Sequence, residues 1–433
     1  MSKLQRYSSY KESGVEWIGE IPEHWEIEKG KWLFKQVQRP VRLNDEIVTC
    51  FRDGMVTLRS NRRTEGFTNA LKEHGYQGIR NGDFVIHNMD AFAGAIGISD
   101  SDGKSTPVYT VCRPWDDKIV SSEYYARYLR NLALQDFILS LAKGIRERST
   151  DFRYKDFGEL LFPFPPKEEQ AAIVLYLDTK TAQIDQVIRQ KEQLIELFKE
   201  RRQIVINEAV TKGLNPNASM KDSGVEWIGE IPEHYTIAKL KWISKRYAGG
   251  TPDKNNLKYW ENGTIPWVAS GEVNQEIVTM PTTYITEIGF KNSSAKWMPK
   301  DSLIVALAGQ GKTKGMVAYL DIDTTGNQSL SAIIPNKKKI NSKYLFYFIK
   351  AAYKELRGSA GDGHRDGLNL ESLGVLITIN PPKDEQLQIV DYIEEHTSKI
   401  DAAIELQQNY IAKLKEYKTT LIDSVVTGKV RVA

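Results

Sequence analysis

Chemistry in this sequence would most readily begin at Ala306-Leu-Ala-Gly-Gln-Gly-Lys-Thr313, which satisfies a permissive phosphate-loop pattern after an apolar run. A phosphate loop works only when a helix follows at once and turns its first amides toward the phosphates. Lys314-Gly-Met-Val-Ala-Tyr-Leu320 instead offers Gly315 and then a β-like run, with no room for that helix. ATP binding is not expected. The two cysteines, Cys50 and Cys112, have no ligand-like spacing to each other or to the six histidines. Neither a structural zinc site nor a disulfide framework is expected, and a reducing cytoplasm is the default.

Asn380-Pro-Pro-Lys383 is similar to the Asn-Pro-Pro-aromatic motif of adenine methyltransferases, but Lys383 replaces the aromatic. The segment occurs twice, and its other copy has Phe164 at the asparagine position. No Gly-rich cofactor loop follows an early strand. Methyl transfer by this chain alone is not expected, and neither are catalytic or metal-ligating residues.

Nucleic-acid reading is a further chemistry that these residue types could support. Arg and Lys match guanine edges, Asn and Gln match adenine, and Lys, Arg, Ser, Thr and backbone amides reach phosphates. Gly82-Asp-Phe-Val-Ile-His-Asn-Met-Asp-Ala-Phe-Ala-Gly-Ala-Ile-Gly97 reads as strand, small-residue loop and strand, with His87, Asn88 and Asp90 at the loop. They are DNA contacts or the polar turn of an ordinary hairpin. Between residues 143 and 155, Lys143, Arg146, Arg148, Arg153 and Lys155 outnumber two acids. Such a run is solvated charge or a DNA-facing loop, and its register against the Gly-rich stretch 358–367 favours the loop. The second half offers Gln310, Lys312, Thr313 and Lys314, then His364 and Arg365, and a turn with Thr251, Lys254 and Asn255 that could meet the backbone.

The elements that would position these residues follow from a repeat. Ser13-Gly-Val-Glu-Trp-Ile-Gly-Glu-Ile-Pro-Glu-His24 recurs unchanged as Ser223 to His234. Pro165-Pro-Lys-Glu-Glu-Gln170 matches Pro381-Pro-Lys-Asp-Glu-Gln386, Ile184-Asp185 matches Ile400-Asp401, and Val210-Thr211 matches Val426-Thr427. Between the two motifs similarity nearly vanishes, apart from Asp83 with Asp301 and Tyr124/Tyr128 with Tyr344/Phe348 on an amphipathic helix. Duplication kept a frame and let the inserts diverge, as a reader of two different sites requires.

Each Pro-Pro segment opens a helix: proline ends the preceding strand, and acids fill the first turn where the helix dipole favours them. A heptad-like 4,3 spacing runs through Ile389, Ile393, His396, Ile400, Ala403, Gln407, Tyr410, Leu414, Tyr417, Leu421 and Ser424. The first copy carries the same seam through Ile173, Leu177, Lys180, Ile184, Val187, Lys191, Leu194, Phe198, Arg201, Val205 and Glu208. Polar residues interrupt both seams alike, and a helix of about 45 residues would reach ~65 Å if straight. Each insert can join the two helices easily only if they are antiparallel. The N-terminal copy of the Trp-Ile-Gly motif should then sit by the C-terminal end of the second helix.

With 59 basic and 56 acidic residues the formal charge is +3, so no cationic tail dominates affinity, and a basic face remains open. The N-terminus lacks an apolar signal core, and no run approaches a membrane span, so a soluble, cytoplasmic chain is expected.

The repeated Ser-Gly-Val-Glu-Trp-Ile-Gly-Glu-Ile-Pro-Glu-His opening and Pro-Pro-x-x-Glu-Gln helix start resemble the specificity subunits of type I restriction–modification systems, over nearly the whole chain. The resemblance implies an α+β fold of two globular α/β target-recognition domains. Two long antiparallel helices forming a coiled-coil spacer would separate them, as a pseudo-two-fold internal repeat. The expected segments are 1–165 and 214–381 for the recognition domains, with 166–213 and 382–433 for the helices. It further implies double-stranded DNA, two methyltransferase subunits and motor-nuclease subunits as partners, with no membrane. S-adenosylmethionine, ATP and Mg would belong to those partners, and no cofactor to this chain. A solitary regulator on the same fold is the alternative, and an enzyme is disfavoured by the failed motifs.

Overall fold

The computed structural model describes residues 5–62, 73–141, 151–309, 312–358 and 368–432. The chain divides into two compact units, Met1–Lys191 with Gln408–Ala433, and Glu192–Gln407.

The repeated motif folds the same way in both. Its serine hydroxyl, on Ser13 or Ser223, accepts from the amide of Val15 or Val225 at 3.1 and 3.2 Å, closing a tight turn. The flanking strands Tyr10–Glu12 and Glu20–Pro22 pair antiparallel, as do Met220–Asp222 and Glu230–Pro232. The next strand, Glu26–Lys29, pairs with Leu161–Phe164, and its counterpart Thr236–Lys239 pairs with Ile377–Asn380. Each partner strand runs into Pro-Pro, which cannot continue a ladder, and a long helix starts: Lys167–Lys212 or Lys383–Val426.

Fully buried Gln170 and Gln386 lock these starts. Gln170 accepts from the Ser121 amide at 2.7 Å and donates to the Pro165 carbonyl at 2.8 Å. Gln386 accepts from the Asn341 amide at 2.6 Å and donates to the Pro381 carbonyl at 2.8 Å. Ser121 and Asn341 are in turn the N-caps of the helices Ser122–Leu134 and Ser342–Ala351. As the amphipathic pattern indicates, Tyr124, Tyr128, Tyr344 and Phe348 lie in the core.

The central sheet of the first unit runs in the order Phe34–Gln36, Tyr109–Pro114, Phe84–His87, Ile96–Ile98. The second unit repeats that order with Ser244–Ala248, Leu330–Pro335, Leu303–Ala306 and Val317–Leu320, then adds Ile277–Val278 in parallel at the edge. Asp83 and Asp301 precede matching strands.

Within each unit the long helices run antiparallel. In the first, Lys418 Nζ lies 2.7 Å from both carboxylate oxygens of Asp185, and Lys191 sits 4.6 Å over the Tyr410 ring. The end of the second long helix meets the motif: the Tyr124 hydroxyl donates to the Val426 carbonyl at 2.8 Å, and a Cβ on Gly428 would lie 2.8 Å from the Trp25 ring. In the second unit Arg202 pairs with Asp401 at 3.0 Å, and the Tyr344 hydroxyl donates to the Val210 carbonyl at 3.1 Å. The two ion pairs are one relation seen twice, since 185 matches 401 and 202 matches 418.

The heptad seam holds at Ile173, Leu177, Ile184, Val205, Ile389, Ile393 and Leu421, which are buried, and fails in the middle of each helix. Val187 (38% exposed), Leu194, Tyr410 and Tyr417 face outward, whereas Ile188 and Ile195 are buried. Isoleucine recurs every 11 residues at 173, 184, 195 and 206, all buried, and at 389, 400, 411 and 422, buried or half-buried. Eleven residues in three turns is 3.67 per turn, close to the unstrained helix, so burial keeps to one face without the left-handed winding a heptad demands.

A charge network ties the second insert to the frame. Glu276, at φ +59°, receives the Arg202 guanidinium at 3.0 Å and the Lys350 ammonium at 2.6 Å. Burial pushes the Glu276 carboxyl up, but the two cations outweigh it and hold it near 2.

Two outcomes follow. Ile188→Ala should cost about 2 kcal/mol in denaturant unfolding and Val187→Ala under about 0.5 kcal/mol, the reverse of what a heptad seam requires. Glu276 has a folded pKa below its ordinary value of 4.5. Its stabilisation is therefore full above that value and lost as pH falls toward about 2. Glu276→Gln should flatten the acid limb of the stability profile in that window, as read by acid titration of circular dichroism.

Candidate nucleic-acid interface

In the first unit the loop after Phe84–His87 returns the chain to Ile96–Ile98. His87 ends the strand with its ring packed edge-on against Tyr109 at 4.6 Å, and Nδ1 accepts from the Asp90 amide at 3.0 Å. Burial pushes the imidazole pKa down, against the pull of the Asp90 carboxylate. Asp90 receives Arg52 at 2.7 Å, and Arg52 is largely exposed. The loop surface therefore presents Arg52, Met89 and Asp90.

Asn88 lies deeper than its neighbours. It is only 7% exposed, and its Oδ1 accepts from the Thr110 hydroxyl at 2.8 Å. Its amide donates to Val108 and its carbonyl accepts from Phe152, so it pins three segments together beneath the surface. Of its side chain, Oδ1 is engaged by Thr110, and Asn88 lines the same cleft as Met89 and Arg153. The same bonds bring the 87–90 loop beside 151–155, two segments distant in sequence. Arg153 is exposed there, with Nε 2.8 Å from both oxygens of Asp151, and Lys155 and Tyr154 line the same cleft. Lys143, Arg146 and Arg148 lie outside the described residues.

In the second unit the matching loop joins Leu303–Ala306 to Val317–Leu320. Gly315 turns it at φ +83°, and its amide donates to the Ala306 carbonyl at 2.8 Å. Beyond Lys312 the described residues turn at Gly315 and enter the strand Val317–Leu320. Lys312 is exposed and its carbonyl accepts from the Tyr353 hydroxyl at 2.6 Å, while Thr313 and Lys314 are half-buried. Gln310, His364 and Arg365 lie outside the described residues. Asn380 is likewise occupied, its Oδ1 accepting from Gln386 at 3.1 Å.

Thr251, Lys254 and Asn255 join this same sheet end. Strand Ser244–Ala248 finishes opposite Ser331, and Leu307 donates to the Ser329 carbonyl at 2.8 Å. The turn at 249–255 and the segments 307–309 and 326–330 thus converge. Thr251 Oγ1 hydrogen-bonds Gln328 Oε1, and the Asn255 amide donates to Asp253 at 3.0 Å. Arg52 and Gln328 were missed by sequence reasoning. Both lie in polar turns between short strands, Arg52-Asp-Gly54 and Gly326-Asn-Gln-Ser329, which is the signal that could have found them.

Burial pushes both cysteine thiols up, and neither is paired. Among the described residues no cluster of His, Cys, Asp or Glu is placed to hold a metal, and no helix is long and apolar enough to cross a membrane.

Two sheet-and-helix units on one duplicated frame, with unlike loops at the same sheet end, define a duplicated recognition protein. Residues 232–416 match the type I restriction modification DNA specificity domain. The Escherichia coli type I restriction enzyme EcoR124I/EcoR124II specificity subunit is 29% identical over 46% of this chain, a stretch spanning about half (48%) of that relative. A putative MjaX specificity subunit from Methanocaldococcus jannaschii is 23% identical over 96% of both chains. A chain solved in work on assembly and conformational transition of the type I R-M system shares the fold, with a TM-score of 0.72 at 16% identity over 94% of this chain and 98% of its own. The HsdS subunit from Thermoanaerobacter tengcongensis does so with a TM-score of 0.55 at 17% identity over 95% and 98%. The chain is thus similar in sequence to type I restriction enzyme specificity subunits, and it shares the fold of an HsdS subunit.

Arg153→Ala should leave thermal stability unchanged and lower the salt slope of DNA binding by about one. Asn88→Ala should instead destabilise the fold by about 1–2 kcal/mol, seen as a lowered unfolding midpoint.

Proposed function

We propose that this chain is the non-catalytic DNA-specificity subunit of a type I restriction–modification complex. Each unit reads one half of an asymmetric, bipartite site through the loops at its sheet end. The long helices act as a coiled-coil spacer that sets the distance between half-sites and docks two methyltransferase subunits. S-adenosylmethionine, ATP and Mg serve those subunits and the motor-nuclease subunits.

One observation carries the reading. The two units share strand order, helix caps and helix starts, yet the loop after Phe84–His87 carries His87 and Asp90 while the matching loop after Leu303–Ala306 carries Lys312 and Thr313. A duplicated scaffold with unlike tips suits two unlike half-sites, about one helical turn or roughly 34 Å apart. The solitary-regulator alternative shares this DNA reading and differs only in lacking enzyme partners.

The decisive measurement is the methylome of cells carrying the chain with its partners. Exchanging residues 25–165 for the insert of another specificity subunit should change one half-site and leave the other. A change in both halves would overturn the modular reading, and no methylation dependent on the chain would overturn its role in the complex.

A further inference from the structure

The duplicated frame carries two cations at one place in each unit, and the two inserts meet them differently. Arg130 matches Lys350 on the frame helix, and Lys418 matches Arg202 on the long helix facing it. In the second unit the Glu276 carboxylate lies between the pair, 3.0 Å from Arg202 and 2.6 Å from Lys350.

Glu276 has a definite counterpart in the first insert. It stands two residues before Val278, whose carbonyl accepts from the Asp321 amide at 3.0 Å. Gly54 stands two residues before Val56, whose carbonyl accepts from the Asp100 amide at 3.0 Å. Asp321 and Asp100 each follow by two the strand residue, Tyr319 or Ile98, that faces Leu303 or Phe84. Val278 and Val56 both pair in parallel at that edge. Both turn residues are left-handed, at φ +59° for Glu276 and +89° for Gly54. Glycine takes that conformation freely and glutamate at a cost, so the second insert keeps its carboxylate against the preference of the backbone.

Where the first insert has only Gly54, a cavity of about 390 Å³ remains. Gly54, Arg130 and Lys418 line it, with Ile96, Ile98, Leu177 and Ile422 as its apolar wall. The carboxylates on its lining are engaged. Asp178 pairs with Arg127, Asp53 with Arg62 at 2.7 Å, and Glu123 accepts from the Ser121 hydroxyl at 2.9 Å. Lys418 holds Asp185 at 2.7 Å as Arg202 holds Asp401, but Arg202 takes Glu276 as well. Arg130 meets the neutral carbonyls of Gly94 and Arg52, both at 3.2 Å, where Lys350 meets a carboxylate.

We infer that this cavity binds a small organic carboxylate, its anion held by Arg130 and Lys418 and its apolar body by Ile96, Ile98, Leu177 and Ile422. A cavity of a few hundred Å³ with apolar walls and a few placed polar groups is the usual form of a small-molecule site. Hydrogen bonds from cations to a carboxylate are the strong ones. The bound anion ties the Gly54 turn to the helix pair of the first unit, as Glu276 ties the second insert to its own.

Saturation-transfer NMR on the full chain tests this with hexanoate as the probe and hexanamide as its uncharged isostere. Hexanoate should bind, and hexanamide at least tenfold more weakly. Arg130→Gln should weaken hexanoate at least tenfold. Gly54→Glu with Arg130→Lys copies the second unit into the first and should abolish hexanoate binding. The shorter lysine is needed there, because a Cβ on Gly54 would lie 2.7 Å from Arg130 Nε. Thermal scans show whether each variant is folded, and if the filled one is not, Arg130→Gln decides. Hexanamide bound as tightly as hexanoate overturns the inference, since the cleft would then be merely apolar. Hexanoate binding unchanged by Arg130→Gln, or absent from the parental chain, overturns it too.

Discussion

A buried glutamine amide at the start of each long helix holds three pieces of backbone that the sequence scatters. Gln170 and Gln386 each close the last turn before the helix and receive the N-cap amide of the frame helix that follows the insert. A buried amide left without those partners would cost on the order of 1–3 kcal/mol, so the geometry is exacting. Beside it, Glu169 accepts from Trp25, His24 and Tyr7, and Glu385 meets His234 at 2.8 Å. Burial pushes the Glu169 carboxyl up, but those three donors outweigh it and leave it below the usual carboxylate range. The repeated motif and the helix start are therefore halves of one joint.

Because the joint is self-contained, what lies between its halves can change. The frame helices show how differently two inserts are held by one position. Arg130 and Lys350 are equivalents, each 220 residues from its counterpart in step with Tyr124 and Tyr344. Arg130 donates to the carbonyls of Gly94 and Arg52, whereas Lys350 meets the carboxylate of Glu276. Burial pushes both cations down, and each insert answers with its own acceptors. A cation on the frame is kept, and its partner is rewritten with the insert.

Much of this was legible in the residues. Identity between Ser13–His24 and Ser223–His234 announced the frame, Pro-Pro followed by acids announced the helix starts, and Tyr124 with Tyr344 announced the packed helices. The strand Val317–Leu320 was readable as a β-like run after Gly315. Asn88 was not readable. A polar residue in a turn looks the same whether it faces water or fastens a strand from elsewhere, and its partners Thr110 and Phe152 come from distant sequence. The middle of the helix seam failed for a different reason. Periods of 3.5 and 3.67 differ by half a residue over three turns, and apolar residues at both 187 and 188, and at both 194 and 195, satisfy either.

The 11-residue spacing also explains why the ion pairs recur where they do. Asp185 follows Ile184 and Asp401 follows Ile400, while Arg202 and Lys418 each lie four residues before the next isoleucine of the row. Each carboxylate and each cation therefore holds a fixed place beside the buried row, one turn or less from it. Such pairs are partly exposed and individually worth little. Their value is in register: an isoleucine row can slide by a turn with modest loss, but a slide would carry Asp185 away from Lys418 and Arg202 away from Asp401. Apolar burial supplies the adhesion of each helix pair, and the duplicated charges choose its alignment.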